Sequence, residues 1–141
     1  MPTKGVIVWR GDTGRPENNY AMSRVEGVTD DTALATLITA LLAYTDCNVA
    51  RRSFNSVTSM TDSAPGADAT VDRKAVLYMR NPTNLHVIKI EIPAPVSSAT
   101  EFGDKYEKLT SAAEAAILAA INTACSTSYT VLGSRVWQRG T

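Results

Sequence analysis

The sequence predicts an α+β fold, in which an antiparallel sheet has two helices packed on one of its faces. The prediction depends on a clear hairpin in the second half, on two segments with apolar residues at helical spacing, and on a recurring order of elements. The chain has 141 residues, enough for one domain or for two small units that share a core. We therefore expect a single domain over 1–141, with pseudo-repeat halves at about 5–58 and 71–139 and a linker at 59–70.

The first half is expected to contain two strands, one helix and a third strand, at 6–10, 20–26, 30–45 and 48–57. The Thr29-Asp30-Asp31 sequence supplies an N-cap and early acidic residues for the helix. Apolar residues recur at helical spacing after this cap and form the predicted buried stripe of Leu34, Leu37, Ile38 and Leu41.

The second half repeats this order. Strands at 73–80 and 85–92 flank Asn81-Pro82-Thr83-Asn84 and so predict a hairpin, in which Ile88, Ile90 and Ile92 share one face. Asp104 and Glu107 have the spacing of a capping box, which predicts a helix over 104–124. Its buried stripe would comprise Leu109, Ala113, Ala116, Ile117, Ala120 and Ile121. A last strand is expected at 129–138.

Short segments also correspond between the halves. Val8-Trp9-Arg10 is similar to Leu77-Tyr78-Met79-Arg80, and Arg52-Ser53-Phe54 is similar to Arg135-Val136-Trp137. These similarities suggest a ββαβ duplication. Because neither half has enough apolar surface to bury its sheet alone, we expect the halves to share a core or to dock on another subunit, as in an intertwined dimer.

Few residues indicate catalysis. Asp12-Thr13-Gly14 matches the tripeptide of aspartic proteases, which at this length would act as dimers, but charged residues and a proline surround it. His86 is the only histidine and is expected to be a structural or exposed residue of the hairpin. Asp30, Asp31 and the Asp104/Glu107 pair are better explained as first-turn helix acids than as metal ligands. We therefore predict no enzyme, no cofactor and no metal site.

The cations are informative by position. The chain has 14 Lys and Arg against 14 Asp and Glu, so no global basic field attracts nucleic acid. Many cations nevertheless fall on or beside predicted strands: Arg51, Arg52, Arg73, Lys74, Arg80, Lys89, Arg135 and Arg139. We expect Arg51, Arg52, Arg80 and Lys89 to face nucleic acid. The alternative is an ordinary solvated sheet face with cross-strand ion pairs.

Signals for the compartment are few. The apolar run before Arg10 is too short for a signal peptide, and no segment has the length of a membrane span. A location in a virion, or otherwise in the cytoplasm, is therefore expected, with no membrane partner. Cys47 and Cys125 are expected to be free, partly buried thiols.

The hairpin at 73–92, the Pro-containing loop after it and the following helix resemble the second part of single-stranded RNA phage coat proteins over about residues 73–124. In that family a sheet faces the RNA, and helices interlock in a dimer before the shell assembles. The early helix at 30–45 and the strand after the late helix are additional to the family's pattern.

The first functional hypothesis is a self-assembling virion coat or capsid protein, which forms dimers and a larger shell and contacts RNA with a sheet face. The second is a small bacterial module that binds a ligand or a protein in the groove between the two helices. The third is a dimeric aspartic-protease-like enzyme based on Asp12.

Overall fold

A computed structural model of the chain describes residues 3–11, 20–60, 73–101 and 108–138. Its strands and helices are β1 (Lys4–Arg10), β2 (Tyr20–Glu26), α1 (Asp31–Leu41), β3 (Asn48–Phe54), β4 (Val57–Met60), β5 (Arg73–Arg80), β6 (Val87–Pro93), β7 (Thr100–Glu101), β8 (Lys108–Leu109), α2 (Ser111–Cys125) and β9 (Thr130–Gln138). Short 3₁₀ turns lie at Leu42–Tyr44 and Ser97–Ala99.

The predicted α+β class with antiparallel strands and two helices is confirmed. The long strands do not form one hydrogen-bonded sheet, however, but two, with the strand orders β2-β1-β3-β4 and β6-β5-β9. A two-stranded ladder of β7 and β8 is separate from both. In the first sheet β1 is flanked by β2 and β3, and in the second sheet β5 is flanked by β6 and β9.

The β5–β6 hairpin forms as the sequence predicts. Ile90 and Ile92 are buried, and Ile88 packs against the core as a half-buried residue. The connection is closed by a hydrogen bond from the Asn81 backbone N–H to the His86 carbonyl, at 2.8 Å. The Asn81 side chain also accepts a bond from the Thr83 N–H. The Asn-Pro-Thr-Asn signal therefore specifies the turn through its first asparagine.

Helix α1 begins at the predicted cap. The Asp30 carboxylate accepts a 2.7 Å hydrogen bond from the Ala33 N–H, which satisfies one of the free donors of the first turn. All four residues of the predicted stripe are buried: Leu34, Leu37, Ile38 and Leu41. The helix ends at Leu41, and the predicted residues beyond it form the 3₁₀ turn at Leu42–Tyr44.

Helix α2 begins later than the sequence suggests. Thr110 is its N-cap and accepts a 3.1 Å bond from the Ala113 N–H, whereas Asp104 and Glu107 lie outside the described residues. Leu109, expected in the buried stripe of the helix, is buried instead in β8. The buried residues of α2 recur at three- and four-residue steps: Ala113, Ile117, Ile121, Ala124 and Cys125. Ala116 is exposed, whereas Ala120 lies at the edge of this stripe and packs against the core as a half-buried residue.

The third strand is shorter than predicted. β3 ends at Phe54, and Asn55 and Ser56 form a turn with positive φ values of 48° and 71°. The chain then returns as β4, so that residues 59 and 60, expected in the linker, belong to a strand. Residues 61–70, the rest of the expected linker, lie outside the described residues.

One hydrophobic core extends through both halves of the chain. It contains Ile7 and Leu34 from the first half together with Leu77 and Ile117 from the second. The two helices pack against each other, and the Thr29 N–H before α1 donates to the Ala124 carbonyl near the end of α2, at 3.0 Å. The helices are therefore antiparallel, and they lie over the same side of both sheets.

Strands β2 and β6 pack side by side, and we call this contact the seam. The buried indole N–H of Trp9 donates to Ser23 Oγ at 2.8 Å, and the Ser23 hydroxyl donates to the carbonyl of Glu91 on β6. A hydrogen-bonded chain of buried groups thus links the first sheet to the second.

Candidate nucleic-acid interface

Each large sheet has a face that the helices do not cover, which we call the outer face. On β1, Ile7 and Trp9 point into the core, and Val6, Val8 and Arg10 alternate with them. The pairing registers place the partners of these alternate residues on the same side, because directly opposed residues in a ladder share a face. The residues of the outer face are therefore identified by the alternation of side chains along each strand and by the pairing register between strands.

Positive charge is concentrated on the outer face. By register, the described cations of this face are Lys4, Arg10, Arg24, Arg51, Lys74, Arg80, Lys89 and Arg135. The described carboxylates of the same face are Glu26 and Glu91. Among the described residues, eight cations thus share a surface with two carboxylates. Such a surface has a local positive potential.

Three of the four predicted nucleic-acid-facing residues, Arg51, Arg80 and Lys89, lie together on the outer face. Arg52 lies on the opposite face of β3, toward α1. Its guanidinium binds Asp31 with two parallel hydrogen bonds, Nε to Oδ1 at 3.0 Å and Nη2 to Oδ2 at 3.1 Å. The hydrogen bond from Arg52 lowers the pKa of the Asp31 carboxyl, and it raises the pKa of Arg52. Arg52 therefore connects β3 to α1.

The strand register explains this difference. Arg52 lies opposite Ile7, whose side chain faces the core, whereas Arg135 lies opposite Val76 on the outer face. The residue of β3 that corresponds to Arg135 is thus Ser53, and the sequence similarity between Arg52 and Arg135 is displaced by one position. A displacement of one residue in a strand moves a side chain to the other face.

Arg73 lies on β5, as predicted, but on the opposite face from Lys74, and its Nη2 donates to the Pro95 carbonyl at 2.8 Å. Arg139 lies outside the described residues. Arg10 and Arg24 also lie on the outer face, although the sequence analysis did not include them among the strand cations. The alternation of exposed and buried residues along β1 and β2 places them there.

Apolar and aromatic side chains lie among the cations. Tyr20 and Met22 are exposed on β2, at 53% and 44%. With Val8, Arg10 and Arg51 they line a depression of about 470 Å³ on the first sheet. Such mixed surfaces, with flat apolar groups beside positive charges, are typical of proteins that bind single-stranded nucleic acid.

The outer faces of the two sheets are continuous across the seam. A second depression, of about 380 Å³, is lined by Met22 and Arg24 from β2 and by Lys89 and Glu91 from β6. Glu91 accepts from Lys74 Nζ at 3.3 Å and lies 3.8 Å from Lys89 Nζ. One carboxylate thus offsets part of the charge of two lysines, which is the ion pairing expected of a solvated sheet face.

The helices have a contrasting surface. Helices α1 and α2 contain no Lys or Arg, and their exposed positions are mostly Ala and Thr. Their acids are Asp31, which pairs with Arg52, and Glu114, which accepts a 2.6 Å bond from the Ser134 hydroxyl. Both acids lie in the first turn of their helix, which was predicted for Asp31 but not for Glu114, and Asp104 and Glu107 lie outside the described residues.

Of the two candidate catalytic residues, the structure describes only His86. Asp12 lies outside the described residues, and His86 is exposed just before β6, where its backbone N–H donates to Asn84 Oδ1. Cys47 and Cys125 are buried free thiols, as predicted, and burial raises the pKa of both, that of Cys47 to about 11. Within the described ranges, no cluster of three or more His, Cys, Asp or Glu residues has the arrangement of a metal site.

None of the helices in the described part of the chain combines the length and the apolar character that crossing a bilayer requires. Comparison with protein-family models, with curated proteins and with solved structures found no match to this chain.

Proposed function

We propose that this chain is a structural subunit of a self-assembling shell, a virion coat or capsid protein, and that its outer face contacts packaged RNA. The observation that supports this most is the charge of the outer face. Among the described residues, eight cations and two carboxylates lie on this face, which the described helices do not cover, and such a surface can bind phosphates without a global basic charge. The resemblance of residues 73–124 to RNA phage coat proteins points to the same face.

The arrangement of the two halves supports a duplicated ββαβ unit. The orders β2-β1-β3 and β6-β5-β9 correspond strand by strand. Both ladders also have an irregularity at the same place, between Val8 and Trp9 in one half and between Tyr78 and Met79 in the other. Because bulges are specific local features, their equivalent positions favour a common origin of the halves.

The sheet edges support self-assembly. Among the described strands, β9 is an edge of its sheet, whereas the corresponding strand β3 is covered by β4. Leu132 on β9 is 49% exposed, and Val57 on β4 is 72% exposed. Pairing between edges of neighbouring copies would cover these strands and leave the outer face accessible. We therefore infer homodimers and larger assemblies.

The test of nucleic-acid contact is binding of a single-stranded RNA oligonucleotide, measured by fluorescence anisotropy over a range of salt concentrations. We expect the affinity to fall steeply with salt, and the Arg51→Ala/Arg80→Ala/Lys89→Ala variant to lose affinity and to have a salt slope smaller by roughly 1 per removed phosphate contact. Lys108→Ala is the matched control, because Lys108 lies on β8 and is not among the cations that the register of the two large sheets places on the outer face. An unchanged slope in the triple variant would refute the assignment of this face.

The test of assembly is the native mass, measured by light scattering after size exclusion, together with the ratio of absorbance at nucleic-acid and protein wavelengths. We expect dimers and larger particles that contain nucleic acid. A monomer at every concentration would contradict the structural role.

A groove between the helices favours a second candidate, a module that binds a small ligand or a protein. It has a volume of about 490 Å³ and is lined by small residues of both helices, among them Ala33, Ala40, Ala119 and Thr123. Its location is that of the binding groove in the second hypothesis. A thermal-shift screen with small molecules tests it, and a hit should be lost when Ala119 is replaced by a bulky residue.

A further inference from the structure

The outer face of β5 and β9 has an indole ring beside two cations. Lys74 lies directly opposite Trp137 in the β5–β9 register, and Arg135 precedes Trp137 by two residues on the same side of β9. Lys74 Nζ lies 5.6 Å from the centre of the Trp137 ring, and Arg135 Cζ lies 5.4 Å from it. Both distances are within the range of cation–π attraction, which favours a fixed position of the indole relative to the two charges.

The side chains of this cluster lie over the sheet. Val76 is on the outer face, yet only 1% of its surface is exposed. Its cross-strand neighbours are Arg135 on β9 and Glu91 on β6, and Glu91 binds Lys74. The side chains of Arg135 and Glu91 flank Val76, and the apolar parts of long side chains can cover such a position. The cluster is thus a dense patch with an apolar floor.

The fold does not require this cluster. In the first half, Val6 occupies the position of Val76 and lies opposite Ser53, where the second half has Arg135. Two residues beyond Ser53, where the second half has Trp137, the chain has Asn55 in the turn to β4. The same architecture therefore forms without an indole and without a guanidinium at these positions. We take their presence in one half as a sign of a binding role.

We propose that Trp137, Arg135 and Lys74 form a binding site for an unpaired base and the adjacent phosphate of single-stranded nucleic acid. This proposal rests on the proposed function, and it specifies the class of ligand as single-stranded nucleic acid. The half-buried indole and the planar guanidinium are flat surfaces on which any base can stack, and Lys74 provides a charge for the phosphate. A duplex has its bases stacked internally and presents only its backbone to such a site.

The two tryptophans make this site measurable. Trp9 is fully buried, with its N–H bonded to Ser23, so quenching of fluorescence by a bound oligonucleotide reports mainly on Trp137. The probes are oligothymidylate of about 12 nucleotides and an abasic strand with the same number of phosphates. We expect the base-containing strand to quench fluorescence and to bind at least about fivefold more tightly than the abasic strand.

Variants separate stacking from charge. Trp137→Phe should abolish the quenching and weaken the preference for bases, while Lys108→Ala should retain both. Arg135→Lys keeps the charge and loses the planar group, so it should reduce the preference for bases and leave the salt dependence unchanged. This variant also decides the matter if Trp137→Phe proves unable to fold, which circular dichroism and Trp9 emission would show.

The outcomes distinguish this site from the proposed function. Equal affinity for the two strands, with no quenching and no effect of Arg135→Lys, would overturn the base site and leave a phosphate-binding face intact. Failure of both strands and of RNA to bind would overturn the proposed nucleic-acid contact, and the base site with it.

Discussion

Replacing Ser23 by alanine should weaken the connection between the two sheets. The Ser23 hydroxyl accepts from the Trp9 indole and donates to the Glu91 carbonyl, and Trp9 and Ser23 are 0% and 1% exposed. In Ser23→Ala the indole N–H remains buried without this acceptor, which costs about 2 kcal/mol. The lost bond to the carbonyl adds about 0.5–1 kcal/mol. We therefore expect the free energy of unfolding to fall by about 2–3 kcal/mol.

Urea and thermal unfolding followed by circular dichroism would measure this loss. For a chain of this size it corresponds to a decrease in Tm of roughly 5–12 °C. Ser53→Ala is the control, since the Ser53 hydroxyl makes an exposed 3.0 Å bond to Thr58, and it should cost less than about 0.5 kcal/mol.

A double-mutant cycle with Trp9→Phe tests the mechanism. Phenylalanine has no N–H, so in the Trp9→Phe background Ser23→Ala should cost clearly less than in the wild type. The reasoning is refuted if Ser23→Ala is as mild as Ser53→Ala, or if the Trp9 and Ser23 substitutions are fully additive.

Three further predictions concern the first half. Because the pKa of Asp31 is lowered in the fold, its pair with Arg52 contributes stability above the ordinary carboxyl pKa of 3.8. The gap of about 0.5–1 kcal/mol between wild type and Asp31→Asn, measured by urea unfolding near neutral pH, should close as the pH falls through the lowered value, and a gap that widens in acid would contradict this. The buried Cys47 thiol, whose pKa is raised to about 11, should react with a thiol reagent at about pH 8 only after the protein unfolds, and the absorbance of the released reagent measures this reaction. The control is Cys47→Ala, in which rapid labelling of the native protein would show that Cys125 is the reactive thiol. In Gly5→Val the new Cβ would lie 3.0 Å from Leu34 Cδ1, so we expect thermal unfolding to show a loss of about 1–3 kcal/mol, and an unchanged Tm would show that α1 shifts freely.

The sequence predicts those parts of the fold that depend on local signals. Strands β2 and β5 have the predicted bounds, and α1 begins at the cap that Asp30 provides. The predicted start of α2 was wrong because Asp104 and Glu107 have the spacing of a capping box, whereas Thr110, the N-cap in the structure, is followed three positions later by Ala113 and lacks that signature. Leu109, one residue before this cap, is buried in β8 and not in the helix.

The candidate interface depends on pairing register, which the sequence does not specify. Arg51 and Arg52 are neighbours with the same charge, and they lie on opposite faces because of the ladder with β1. The cluster of cations around Trp137 was missed for a similar reason. Its cations come from its own strand and from a strand more than fifty positions earlier, and only the β5–β9 register places them around one ring. Whether the outer face binds RNA stays a prediction.

Among the described residues, the excess of cations on the outer face gives this side of the sheets a local positive field, while the exposed positions of the helices are mostly Ala and Thr. Because the chain has a formal charge of zero, it has no long-range monopole attraction to a polyanion, and the local field would act only within about a Debye length. Encounters with nucleic acid should therefore be productive when the arginine-bearing strands face the polyanion. Near the sequence pI of about 6.6, copies of the protein have almost no net charge and so do not repel one another, which would also let many copies bind close together along one nucleic-acid strand.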